Sequence, residues 1–222
     1  MNKKRILIIT GGKISIEFAR EYLRNQQFDT IIVVDSGMVA ARELELQVHY
    51  IVGDFDSVPK EVLEYYRNEA SKNGSITLKE YNPVKDSTDT HIAIELAVEL
   101  KPDEIILLGA TGNRIDHMLA NIHLLYIPLK EKIKAFIIDE NNKIYLLDQD
   151  ITLNMKELHG SFISLQPFTE VVTSVTLTGF KYPLDKRDLY IGDSLGVSNE
   201  VTEEQANILL QKGILIVIES KD

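Results

Sequence analysis

Val48-His49-Tyr50-Ile51-Val52-Gly53-Asp54-Phe55-Asp56-Ser57 carries the strand-to-loop pattern on which the architecture turns. An apolar run of strand length ends in a Gly-Asp turn, and residues 59–70 behind it carry helical spacing with Pro59 near the first turn. The same unit recurs on either side. Strand patterns are expected at 5–10, 30–34, 48–52, 76–80 and 104–108. Helix patterns are expected at 15–25, with Ser15 as a candidate N-cap, and at 38–46, 59–70, 87–100 and 115–126. Apolar strands alternating with helices imply a parallel sheet covered on both faces, the α/β (Rossmann-like) class. Ligands in such sheets bind beyond the carboxyl ends of the strands. The unusual loops all fall at such ends: Gly11-Gly12, Asp35-Ser36-Gly37, Gly53 to Ser57, and Gly109 to Asp116.

Those loops are rich in acid. Asp54 and Asp56 follow the third strand, Asp86 and Asp89 open a helix, and Asp116 sits at the start of another. At ~6 Å and an effective dielectric of ~20, each like-charge pair costs roughly 3 kcal/mol. A divalent cation is the simplest way to hold such a cluster together. Magnesium is the hard, oxygen-loving choice and usually brings a phosphate ligand, so the chain reads as an enzyme acting on a magnesium–nucleotide complex. If the backbone stays extended through Phe55, Asp54 and Asp56 point to one side. Lys85, next to Asp86, is placed to reach a phosphate. Asp86, Ser87 or Thr88 is expected to cap the helix, and capping is compatible with anion binding at the same end. In Gly109-Ala-Thr111-Gly112-Asn113-Arg114-Ile-Asp116-His117, two glycines allow close backbone approach and Arg114 can neutralise charge on a transferring group. His117 is a candidate for holding Asp116 or the loop. His49, His91, His123 and His159 read as structural or surface groups.

Composition narrows the classes. The 222 residues are 44% hydrophobic and 26% charged, which is ordinary for a globular protein. A net charge of −10 argues against a broad nucleic-acid surface, which needs a basic stripe. The apolar run after Met1-Asn2-Lys3-Lys4-Arg5 is four residues long, too short for a signal or membrane segment. No cysteine is present, which suits a cytoplasmic location and removes disulfides and thiol chemistry. No Walker-type loop, Gly-x-Gly-x-x-Gly, nucleophile elbow or zinc spacing appears.

The pattern changes near residue 130. Residues 135–139 and 143–147 flank Glu140-Asn141-Asn142, a hairpin signal. Strands are also expected at 161–165, 174–178 and 214–219, with one helix at 202–211. The expected division is an α/β catalytic domain over 1–130 and an all-β sandwich domain over 131–222.

The three acidic blocks, in this order and spacing, resemble the thiamine pyrophosphokinase family. The likeness rests on Gly53-Asp54-Phe55-Asp56-Ser57, on Lys85-Asp86-Ser87-Thr88-Asp89, and on Gly109-x-x-Gly112-x-Arg114-x-Asp116-His117. Asp35-Ser36-Gly37 is similar to that family's Asp-Gly-Gly turn, with Ser36 in place of a glycine. His91 stands where the family's helix often has an acid. Gly196-Val197-Ser198-Asn199-Glu200 is similar to a Ser-Asn segment used toward the vitamin. The resemblance implies transfer of the diphosphate of ATP to thiamine, giving AMP and thiamine diphosphate, with Mg²⁺. It implies metal ligation by Asp54, Asp56, Asp86, Asp89 and Asp116. It implies ATP contacts from Asp35, Lys85, Gly109, Thr111, Gly112, Asn113, Arg114 and His117. It further implies a homodimer in which Ser198 and Asn199 of one subunit reach thiamine bound against the other, any stacking coming from Phe or Tyr because no Trp is present. A magnesium-dependent phosphohydrolase and a non-catalytic nucleotide or thiamine sensor are the rival classes, separated by product analysis.

Overall fold

The computed structural model describes residues 3–74, 76–80 and 87–222. The chain divides into two compact units, one up to Glu140 and one from Asn141 onward. In the first, strands and helices alternate: β1 (Arg5–Ile9), α1 (Ile16–Leu23), β2 (Thr30–Val34), α2 (Gly37–Glu43), β3 (Tyr50–Gly53), α3 (Lys60–Asn73), β4 (Thr77–Glu80), α4 (Asp89–Glu99), β5 (Glu104–Leu108), α5 (Ile115–Leu124), α6 (Tyr126–Lys130) and β6 (Lys134–Ile138). The strands order as β6-β5-β1-β2-β3-β4, and every neighbouring pair is parallel.

Burial explains the order. Ile6, Leu7, Ile8 and Ile9 of β1 are fully buried, as a central strand covered on both faces requires. Leu7, Ile9, Val33, Ile51 and Leu108 face Ala19 of α1, Met38 and Ala41 of α2, and Val62 and Tyr66 of α3. On the opposite face α4 packs on β1, β2 and β3, burying Ile94 and Ala97. β4 (Thr-Leu-Lys-Glu) is a short, polar edge. Ser15 caps α1, its Oγ accepting from Phe18 N at 3.4 Å, and Thr88 caps α4, its Oγ1 accepting from His91 N at 3.2 Å. The single helix expected at 115–126 is two: α5 ends at Leu124, and α6 carries Pro128 in its first turn, where the missing N–H is tolerated.

The second unit is all β, with β7 (Asn142–Leu147), β8 (Ile151–Asn154), β9 (Phe162–Pro167), β10 (Val171–Thr178), β11 (Leu184–Tyr190), β12 (Asn199–Glu200), β13 (Gln205–Leu209) and β14 (Leu215–Ser220). Antiparallel pairing gives the orders β12-β9-β14-β7 and β11-β10-β13-β8, the two sheets of a sandwich. The helix expected at 202–211 is instead strand β13. Ala206 and Ile208 are buried while Gln205 and Leu209 are exposed, which is period two. Hydrogen bonding to β10 on one side and β8 on the other overrides the local helical pattern. Strand β6, expected at the head of the second domain, pairs in parallel with β5 and falls in the first unit. Among the described residues no helix is long and apolar enough to cross a membrane.

Candidate active site

From β1 the chain steps outward through β2, β3 and β4, then returns to place β5 on the other side of β1. The helices that follow β1 and β5 go to opposite faces of the sheet, α1 with α2 and α3 and α5 with α4, which opens a crevice at the carboxyl ends of the strands. A cleft of about 650 Å³ lies there. Its walls are the loops after β1, β2, β3 and β5, the start of α4 and the first turns of α5.

The β1 and β5 loops meet backbone to backbone. A Cβ at Gly12 would stand 2.1 Å from Gly109 O and 2.4 Å from Thr111 O, and one at Gly109, where φ is 76°, would stand 2.6 Å from Thr10 O. Only glycine permits that crossing. Asn121, buried on α5, donates from Nδ2 to Ala110 O at 2.8 Å and holds the β5 loop from below. Ser36 Oγ donates to Gly11 O at 3.3 Å and links the β1 and β2 loops.

Three carboxylates also line the cleft: Asp35, Asp54 and Asp89. Asp35 has φ of 43° and Phe55 has φ of 62°, left-handed conformations that non-glycine residues seldom adopt. The strain is held by a buried Phe55 ring and by Asp35 Oδ1 accepting from Phe55 N at 3.4 Å. Burial, then repulsion from Asp89 and Asp54, raises the Asp35 carboxyl from its ordinary 3.8 to about 7. The chain does not stay extended through Phe55. Instead Asp54 Oδ1 accepts from Asp56 N at 3.2 Å in a local turn, so Asp54 faces the cleft while Asp56 is exposed to solvent.

Gly109, Thr111, Gly112, Asn113, Arg114 and His117 line the cleft. Arg114 is bound at both ends of Asp116, with Nε to Oδ1 at 3.2 Å and Nη2 to Oδ2 at 2.5 Å. That exposed pair holds Asp116 at about 2 and raises Arg114 further. Lys85 and Asp86 lie outside the described residues. Among the described residues, no three acidic or imidazole side chains form a ready-made metal site. His49 is structural: its Nδ1 accepts from Ile31 N at 3.1 Å.

In the β unit, Ser198 has φ of 56°, donates its N–H to Ser164 Oγ at 3.0 Å, and leaves its side chain exposed. Asn199 is buried. Its Oδ1 accepts from Tyr182 N at 3.0 Å and Glu200 N at 2.9 Å, and its Nδ2 donates to Tyr182 O at 2.8 Å. The amide is thus committed to clamping the Tyr182 backbone. Lys13, Ser36, Ser57 and Asn121 also line the cleft. Ser36 and Ser57 belong to the Asp35-Ser36-Gly37 and Gly53 to Ser57 loops but carry no assigned role, and no motif flags Lys13 or Asn121. Their signal is position, just past a strand end or one turn after His117.

The fold and cleft define an α/β enzyme unit with an acid-rich site at the strand ends, followed by a β sandwich. Residues 21–137 match the catalytic domain of thiamin pyrophosphokinase, and residues 149–215 match its vitamin B1 binding domain. A thiamine pyrophosphokinase of Bacillus subtilis is 38% identical over 191 residues, covering 86% of this chain and 87% of that protein. The crystal structure of a Bacillus subtilis thiamine pyrophosphokinase superposes with a TM-score of 0.86 at 33% identity, over 99% of this chain and 100% of that one. One from Geobacillus thermodenitrificans gives 0.83 at 30% identity over 98% of each. The chain belongs to the thiamine pyrophosphokinase family.

Proposed function

We propose that the enzyme transfers the diphosphate group of ATP to the hydroxyl of thiamine, releasing AMP and thiamine diphosphate. The observation that carries this reading is the pair of matches in tandem, the catalytic domain over the acid-rich unit and the vitamin B1 binding domain over the β unit. The thiamine oxygen attacks the β-phosphorus in line, the bond to the α-phosphate oxygen breaks, and AMP leaves with that oxygen. Such transfers depend mainly on positioning and charge neutralisation.

The donor set suits Mg²⁺. Its oxygens are hard ligands, and the repulsion from Asp89 and Asp54, which adds to burial in raising Asp35, is what a bound cation relieves. Asp54 and Asp89, with Asp56 and Asp86, are the residues assigned to hold it. When bound, the ion neutralises charge on the phosphates. The chain's own contribution is geometric. The glycine loop from Gly109 to Gly112, with Thr111 and Asn113, offers backbone close to the phosphates. Arg114 is held at two points by Asp116, which limits the positive charge it lends the phosphates, and Asp116 is the group assigned to complete the metal's oxygen set or to accept the thiamine proton. His117 completes the loop wall, Asp35 supports the carboxylate side, and Lys85 is assigned to phosphate.

The reading extends to a cytoplasmic homodimer in which the β unit serves thiamine. Ser198 offers an exposed hydroxyl, and Asn199 acts by fixing Tyr182, which is exposed. Tyr190, Ile191, Leu195 and Val197 are also exposed apolar groups of this unit, in keeping with a covered surface. The test is chromatography of products from ATP, Mg²⁺ and thiamine. Equal amounts of AMP and thiamine diphosphate, lost with EDTA, support the reading. Free phosphate with thiamine untouched would make the protein a hydrolase.

A further inference from the structure

Two cationic side chains line the cleft among the described residues, Lys13 and Arg114. They are not equivalent. Arg114 is neutralised by its two-point contact with Asp116. Lys13 forms no ion pair among the described residues. Its backbone is also unusually well placed. Gly12 locks the β1 loop against Gly109 O and Thr111 O, and the site of a Cβ on Gly112 lies 3.3 Å from Lys13 N and 3.9 Å from Lys13 Cβ. Lys13 is therefore seated on the glycine loop, in the same cleft as the carboxylates of Asp35, Asp54 and Asp89.

A solvated loop lysine needs none of this. A loop lysine pinned by two interlocked glycine turns, at the point where the strand order reverses, has its backbone fixed and only its flexible stem free. Lysine acts as a compact point charge for phosphate. The polyphosphate of a nucleoside triphosphate is the anion that calls for it, since Arg114 carries little uncompensated charge.

We propose that Lys13 is a binding residue for the β- and γ-phosphates of ATP, the pair that is transferred. This rests on the diphosphate-transfer reading above. The contact forms before chemistry and persists through it, so it raises affinity more than turnover.

The experiment compares wild type with Lys13→Met and Lys13→Arg. Calorimetry with ATP and with AMP, in EDTA and at low and high salt, is run beside steady-state kinetics with Mg²⁺. Lys13→Met is expected to weaken ATP binding ~10-fold, the scale of a partly exposed charge-assisted hydrogen bond. The loss should shrink at high salt. AMP, which lacks the transferred phosphates, should bind as before. KM for ATP should rise by the same factor, with KM for thiamine unchanged, and Lys13→Arg should restore most of the loss. Lys13→Met that binds ATP as wild type does, or that weakens ATP and AMP equally, overturns the assignment, because a loop-shaping role would not tell the two nucleotides apart. A wild-type protein that forms no AMP from ATP and thiamine overturns the underlying function instead, and with it the basis of the proposal.

Discussion

Asp35→Asn should stabilise the metal-free protein, and only above mildly acidic pH. Asp35 sits partly buried beside Asp89 and Asp54, which raises its carboxyl from 3.8 to about 7. The sign follows from linkage. Below about 4 the group is protonated in both the folded and unfolded chain and contributes no penalty. Between about 4 and 7 the unfolded chain ionises while the folded one resists, so stability is lost as pH rises. Above 7 the loss is complete. At 1.36 kcal/mol per pH unit the full difference is about 4 kcal/mol. Partial exposure and sharing of the repulsion with two neighbours reduce it to about 2 kcal/mol. Asparagine keeps the volume and an oxygen for Phe55 N while removing the charge. Urea denaturation of both proteins in EDTA, at pH 4 and pH 8, reads the difference directly. The variant should match wild type at pH 4 and exceed it by about 2 kcal/mol at pH 8. A variant equally stable at both pH values relative to wild type, or less stable at pH 8, would refute the argument that burial and acid crowding strain this site.

Three further substitutions probe other parts of the account. Asp54→Asn should lower kcat by ~100-fold or more with no drop in melting temperature, since charge and not volume is removed. Gly12→Ala forces a methyl to 2.1 Å from Gly109 O and should cost ~1–3 kcal/mol in denaturant melts while weakening nucleotide binding. Asn199→Ala leaves Tyr182 N, Glu200 N and Tyr182 O without their partner. It should cost ~1–3 kcal/mol and raise KM for thiamine more than KM for ATP.

Much of the first unit was legible because its signals are local. Ile6 to Ile9 is a continuous apolar run, as a strand buried on both faces must be, and β2 and β5 begin and end where their patterns do. Ser15 and Thr88 announce their helices by side-chain chemistry that acts within three residues. The β unit was less legible because its strands answer to neighbours far along the chain. Gln205–Leu209 becomes a strand through pairing with β8 and β10. Leu184–Tyr190 is a charged edge strand with little alternation to detect. Within the site, the acidic loops were visible, yet the turn at Phe55 that separates Asp54 from Asp56 was not. It depends on the Phe55 ring finding the core and Asp35 meeting the Phe55 amide. Asn121 and Lys13 matter through loops that only the folded chain brings to them.

The most direct test follows the phosphorus itself. ATP labelled at the β-phosphate would be incubated with Mg²⁺, thiamine and enzyme, and the label traced among nucleotide, vitamin and free phosphates. Label is expected to leave the nucleotide and appear in thiamine diphosphate in step with AMP. Label retained in ADP, or released as pyrophosphate with thiamine unchanged, would contradict diphosphate transfer.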